Sequence, residues 1–422
     1  MIQIPSSHFD CVVVGAGPAG STVATLVATQ GWRTLLVERE QMPRFHVGES
    51  LMPETWWTFE RLGVLEEMRR LCFTRKNGVQ FVNHTGSESQ PFFFDQHDPR
   101  ECSLTFHVQR GEFDKVMFEN ASRRGAECRD QTRVIEVRLH EQSPHQLRIR
   151  NADGSEQWLT ARVVVDATGQ QAILANQLGV KKIDPQLRKC AIWSYFQGAE
   201  RNAPGHEVTC ILHTTTKDAW FWYIPLSDGT VSVGVVADND FLLRRAGTPE
   251  QIFYEEVAKC PGVERRISGS NQVGKFHVAK EFSYSTSQHA GPGWVMVGDA
   301  YGFIDPIYSS GVFLALVSGE RAADAICDGL KSGDLSAETL GRWCQDFDRG
   351  VTWIRKLVQA FYTKEFSFGA FMKQFPHYGP NLTDLLIGRV FDGTPGKIFE
   401  DMDPWIEKLK SPAVLPTPGL MR

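Results

Sequence analysis

The chain of 422 residues is 42% hydrophobic and 23% charged with a formal net charge of -5, the balance of a globular protein with core enough for two or three interleaved subdomains. So mild a negative charge excludes the concentrated basic face of a nucleic-acid binder. Its nine cysteines are odd in number and lack metal-type clustering, so reduced thiols, no metal centre and a cytoplasmic setting are expected, with neither a signal peptide nor an integral-membrane span.

Residues 9–14 form an apolar run ending at Gly15, which reads as a buried parallel strand. A small-residue helix follows over about 18–30 and stops at Gly31; residues 33–38 then give a second buried strand, completing a βαβ unit. Residues 54–71 have helical apolar spacing, 79–108 alternate as antiparallel strands do, and 111–124 return to helical spacing. Strands and a hairpin at 151–154 are expected over 131–165, and further strands over 188–236 with a hairpin turn at 227–229. A helix at 248–259, a buried strand at 295–300 and a helix at about 311–330 follow. Trp343, Phe347, Val351, Ile354, Val358 and Phe361 recur at helical spacing, predicting an amphipathic helix packed on the body. Aromatic, Pro/Gly-broken segments and a loose tail come after it.

Gly15-x-Gly17-x-x-Gly20 lies between the first strand and its helix, and Glu38 ends the next strand. The glycines let backbone turn tightly and approach a pyrophosphate, whose charge meets the helix N-terminus, while Glu38 can accept hydrogen bonds from the adenosine ribose. Asp166 and Gly169 end a later apolar run, Asp299 follows Gly298 at another strand end, and Arg110 and Asp114 sit in a QRGEFD segment. Together these resemble the superfamily of FAD-dependent aromatic hydroxylases and geranylgeranyl reductases over roughly residues 8–330. The resemblance implies FAD, held by Gly15, Gly17, Ala19, Gly20, Glu38, Arg44, Asp166 and Gly169. It also implies Asp299 near the ribityl chain and Gln109 or Arg110 near the flavin. There is no second complete GxGxxG, so a separate NAD(P)H-dependent flavin reductase is the expected source of electrons.

Three further segments narrow the family. Phe303-x-x-Pro306-x-x-Ser309-Ser310-Gly311 follows Asp299 directly, Trp220-x-Trp222-x-Ile224-Pro225 follows Ala219, and Lys76 comes after a Gly48-Glu49-Ser50 segment. These resemble the signatures of flavin-dependent halogenases, although Ala219 stands where that family has glycine. A proline-fixed turn opening a helix can converge N–H groups on a small anion. The resemblance implies that Pro306 and Gly311 border the flavin and that Ser310 and Gly311 bind chloride or bromide through their amides. It also implies that Trp220 and Trp222 keep substrate from the flavin, and that Lys76 delivers hypohalous acid as ammonium or carries a haloamine as amine. A tryptophan-halogenase-type catalytic glutamate cannot be placed, so the likeness is closer to phenol- and pyrrole-type enzymes.

The expected fold is α/β: a glutathione-reductase-type Rossmann FAD-binding fold with an inserted mixed or antiparallel substrate-side sheet and a helical C-terminal region. The FAD-binding part would comprise 1–185 with 270–330, the substrate-side sheet 75–110 and 186–269, and the C-terminal region 331–422. The expected function is FADH2-dependent halogenation of an electron-rich phenol or pyrrole, free or presented by an acyl- or peptidyl-carrier protein, in the setting of antibiotic biosynthesis. An aromatic monooxygenase, an isoprenoid reductase of the same superfamily and a flavin-binding protein without turnover are the alternatives.

Overall fold

The structure, a computed structural model, describes residues 7–141, 144–280, 283–391 and 393–410; the tail at 411–422 lies outside the described residues. The strand His8–Val14 runs parallel between Thr34–Val37 and Glu156–Asp166, and the Glu156–Asp166 strand runs parallel to Trp294–Met296. They form the centre of an eight-stranded mixed sheet. Val12, Val13, Leu35, Leu36, Val163, Val164 and Val165 are completely buried there, as expected for strands covered on both faces. The helix Pro18–Thr29 starts at the strand's C-terminal end, with Pro18 at its first position where a missing N–H costs nothing. The helix Ser310–Ser332 lies close against it: a Cβ added at Gly319 would stand 2.8 Å from the Ala19 carbonyl oxygen. The first strand, helix and second strand thus follow the sequence expectation within a residue or two.

The second sheet has seven strands in the order Asn271–Lys280, Lys189–Gln197, Thr230–Asp238, Ala219–Pro225, Val208–His213, Gly78–Val82 and Phe92–Phe93. All neighbours are antiparallel except Val208–His213 beside Gly78–Val82. Its faces separate with the two-residue period of a strand. Trp193, Ile211, Trp220, Trp222 and Ile224 join a core with the C-terminal helices. Phe196, Cys210, Phe221, Tyr223 and Val233 pack on the other side against Pro249–Val257 and Pro261–Ile267. Beyond Ala337–Gly341, the C-terminal region is the expected amphipathic helix, Cys344–Tyr362, followed by Phe368–Gln374, Gly379–Ile387 and Phe399–Lys410. Among the described residues no helix is long and apolar enough to cross a membrane.

Four local expectations are corrected. The helical span 54–71 is two helices, Thr55–Leu62 and Leu65–Arg70, because Gly63 adopts a left-handed conformation (φ 73°) that ends the first. The strand expected at 295–300 ends at Met296, and Gly298–Ala300 is a 3-10 turn. The stretch 79–108 is largely irregular, with short turns at Phe94–Gln96 and Glu101–Ser103. Asn271–Lys280, expected outside the substrate-side sheet, is its edge strand.

Candidate active site

A cavity of about 450 Å³ lies between the two sheets. Gly15, Gly17, Ala19, Glu38, Arg44, Arg110, Gly169, Asp299, Pro306, Gly311, Trp220 and Trp222 all line it. At the glycine-rich turn the three positions do different work. Gly15 has φ +103°, and a Cβ there would meet the Ala167 carbonyl oxygen at 2.3 Å; at Gly20 a Cβ would meet the Gly15 oxygen at 1.9 Å. These two close the turn against the sheet and helix. Gly17 faces open space, its nearest neighbour being Arg44 Nη2 at 3.7 Å from an added Cβ. That is the room a pyrophosphate needs above a helix N-terminus.

Buried charge frames this end. Glu38 accepts from the Ala16 amide at 3.1 Å and the Glu40 amide at 3.1 Å, and Arg44 Nε stands 3.3 Å from its Oε2. Arg44 Nη1 reaches Asp114 at 2.8 Å, and Arg110 grips the same carboxylate with Nε at 2.9 Å and Nη2 at 3.1 Å. Two guanidinium groups hold the fully buried Asp114 below the usual carboxylate range despite its burial. The two arginines thus offset the carboxylates of Glu38 and Asp114, and Arg44 and Arg110 still face the cavity as hydrogen-bond donors. Open space above Gly17, arginine donors on the wall and Glu38 at the end of its strand fit the FAD expected there.

Four site expectations are refined. Asp166 does not line the cavity: its carboxylate accepts from the Thr168 amide, the Thr168 hydroxyl and the Leu174 amide at 3.0, 2.6 and 2.7 Å, and so shapes the Thr168–Gly169 turn that does line it. Gln109 is turned away onto Ser227. Gly20 serves packing. Ser310 is buried and does not line the cavity, whereas Ser309 and Gly311 on either side of it do.

The loop into the helix Ser310–Ser332 is built by local hydrogen bonds. Ile307 N donates to Asp305 Oδ1 at 2.9 Å and Ser309 N to the Pro306 oxygen at 3.0 Å. Ser309 then takes a left-handed conformation (φ 59°, ψ 24°), turning the chain sharply into the first helical turn. Gly311 lines the cavity, and a Cβ there would crowd the Phe303 ring at 3.3 Å. Asp299, on the same wall, is pushed up to about 6 by burial, with Arg110 opposing.

Lys76 belongs to the strand Thr74–Lys76 and is 2% exposed. Its Nζ donates to the Leu51 carbonyl at 2.8 Å and lies 5.6 Å from the centre of the Phe94 ring. Burial without a counter-ion lowers its ammonium to about 7. It opens into a second, small chamber with Phe81, Tyr308 and Leu386, and four residues, Thr209, Ile211, Ile307 and Ser309, wall both spaces. Across that partition runs a buried polar chain: Ser309 Oγ to Ser50 at 3.0 Å, Ser50 to Thr209 at 2.8 Å, and Thr209 to His107 Nε2 at 2.9 Å. Ser309, Ser50 and Glu49 were visible in the sequence only as motif positions, with no partner or role, and Thr209 and His107 not at all; Glu49 accepts from the Tyr195 hydroxyl at 2.8 Å on the cavity wall.

Trp220 and Trp222 share a face, ring centres 6.5 Å apart, and Trp193 stands 6.0 Å from Trp222. Trp220 donates to the Tyr362 hydroxyl at 3.0 Å and Trp222 to Ser232 at 3.1 Å. Gly234 opposite is the seat of the Trp222 indole: a Cβ there would lie 2.2 Å from its Cζ2 and 2.6 Å from Trp193 Cβ. Gly234→Ala is therefore expected to cost about 1–3 kcal/mol in denaturant unfolding by overpacking, and to blue- or red-shift the tryptophan emission; an unchanged midpoint and spectrum would contradict this seating.

A family profile described as tryptophan halogenase matches residues 10–98 and 93–368. The chain is 29% identical over 429 residues to the 1H-pyrrole-2-carbonyl-[peptidyl-carrier protein] chlorinase of Pseudomonas fluorescens, covering 96% of this chain and 95% of that one. It is 30% identical over 390 residues to the corresponding brominase of Pseudoalteromonas luteoviolacea, covering 91% and 93%. Among solved structures, the flavin-dependent brominase Bmp2 superposes with a TM-score of 0.84 at 29% identity, over 95% of this chain and 100% of that one. The chondrochloren halogenase CndH gives 0.78 at 28%, over 97% and 99%.

Proposed function

Because the chain belongs to the tryptophan halogenase family and is an FAD-dependent halogenase, we propose that its substrate is a pyrrole-2-carbonyl group presented by a peptidyl-carrier protein. End-to-end similarity to a chlorinase and a brominase of that substrate supports this. Bound FAD, kept reduced by a separate NAD(P)H-dependent flavin reductase, supplies the electrons with which oxygen turns halide into hypohalous acid.

The chain's own residues do the rest. The amides of Ser310 and Gly311 hold the halide beside the cofactor. Trp220 and Trp222 keep the ring out of the flavin cavity. The observation that carries the reading is the buried Lys76, placed one shared wall away from that cavity. As ammonium it donates to the oxygen of hypohalous acid. Ring carbon bonds halogen, the halogen–oxygen bond breaks, and the oxygen leaves as water with a proton from Lys76. The amine so formed takes the ring proton, restoring ammonium. A group lowered to about 7 can serve in both forms near neutrality.

The substrate is tested by offering the reductase-coupled enzyme pyrrole-2-carbonyl on its carrier, the free acid and a panel of phenols. Halogenated carrier-bound pyrrole, with the free acid inert, is expected. Halogenation of free phenols alone would overturn the substrate assignment while leaving the reaction class intact.

A further inference from the structure

We propose that Asp305 is a positioning residue for halide capture, fixing the turn that aims the loop's amides and setting, by its charge, the loop's affinity for an anion. This rests on reading Ser310 and Gly311 as the halide site. Asp305 lies two residues after Phe303, inside the loop, and is 1% exposed. One carboxyl oxygen accepts from the Ile307 amide at 2.9 Å, which holds Pro306 and Ile307 in their turn. The other accepts from the Tyr362 hydroxyl at 3.0 Å, and that hydroxyl in turn accepts from Trp220 at 3.0 Å. One carboxyl thus ties together the loop, the last residue of the helix Cys344–Tyr362 and the tryptophan wall.

Its partners are neutral donors rather than a cation. Of the charged and titratable groups packed around it, Tyr308 belongs to the same loop and Tyr362 to the C-terminal helix. Lys189, from the second sheet, sits 4.0 Å from the centre of the Tyr362 ring but is paired with Asp238 at 2.6 Å. Burial therefore dominates and pushes Asp305 up to about 7, with the Ile307 amide, Tyr362 and Lys189 opposing. Below that pH the carboxyl is neutral and supports the turn without opposing an anion. Above it, a buried negative charge stands five residues before the amides of Ser310, where low polarity leaves it poorly screened. Halide affinity must then fall as pH rises through this range.

The test is bromide binding to the FAD-loaded protein by calorimetry, where the chemistry at Lys76 plays no part. Wild-type affinity is expected to fall about tenfold between about pH 6 and about pH 8, as full exclusion by one group titrating near 7 requires. Asp305→Asn keeps an acceptor for Ile307 but cannot ionise, so its affinity should fall clearly less than that of wild type over that interval. Asp299 titrates lower and is present in both proteins, so it cannot mimic the difference. Tyr362→Phe removes a donor that favours the ionised form, so the fall should move to higher pH. In turnover, Asp305→Asn should change the bromide KM at high pH more than kcat. Retention of the wild-type pH dependence by Asp305→Asn would overturn the proposal. Bromide failing to bind wild type at any pH would instead remove the halide site on which it rests.

Discussion

Lys76→Ala is expected to lose about 100- to 10,000-fold in halogenation, the range of a general acid–base group, with FAD binding intact, since Lys76 does not line the flavin cavity. The stability of a volume-conserving variant should move the other way. The folded ammonium is lowered from 10.5 to about 7, so below about 7 the fold carries a desolvated charge, and stability rises as pH climbs from the folded value toward the unfolded one. Lys76→Met fills the same volume without the charge. Relief of desolvation, on the order of 4 kcal/mol at about pH 6, is offset by about 1–3 kcal/mol for leaving the Leu51 carbonyl unpaired. A more stable, inactive protein is the expected result, read by thermal unfolding beside turnover. Retained halogenation would remove Lys76 from the reaction, and a Lys76→Met protein destabilised at low pH would contradict the desolvated ammonium.

Gly17→Val should abolish FAD binding without harming the apoprotein fold. A Cβ at this position meets nothing closer than 3.7 Å, and Gly17 is not in a left-handed conformation (φ -75°), so the folded chain accepts a side chain there. The branched side chain would fill the space above the helix N-terminus that a pyrophosphate must enter. A loss of flavin affinity of 100-fold or more, about 3 kcal/mol, is expected with an apoprotein melting temperature close to wild type. Gly15→Ala makes the contrast: its Cβ would lie 2.3 Å from a carbonyl oxygen, so that variant should unfold earlier as well. Purified Gly17→Val with a full flavin spectrum would place the pyrophosphate elsewhere.

The parts of this enzyme that the sequence made legible are those set by neighbours in the chain. The glycine-rich turn, Glu38 and the Pro306–Gly311 loop each need specific residues at fixed short spacings, and the alternation of Trp220 and Trp222 declares a shared strand face. The Asn271–Lys280 strand escaped notice because an edge strand with Gly274 and several polar residues has no apolar signature; its pairing with Lys189–Gln197 decides it. Asp166 looked like a ligand because it ends a buried strand, yet its oxygens are satisfied by the turn that follows. The chain from Ser309 through Ser50 and Thr209 to His107 joins four distant segments, so no local pattern could announce it. Tyr362 lies one residue past the apolar stripe that ends at Phe361; its contact with Asp305 is a product of the fold.

The most direct test of halogenation itself is product mass after turnover with FAD, a flavin reductase, NADH, oxygen and bromide, with a matched reaction lacking halide. The expected product carries the paired isotope signature of bromine, disappears when bromide is withheld and is absent with Lys76→Ala. A hydroxylated product that forms without halide would contradict it, and would leave the loop at Ser310 and Gly311 as support for the flavin alone.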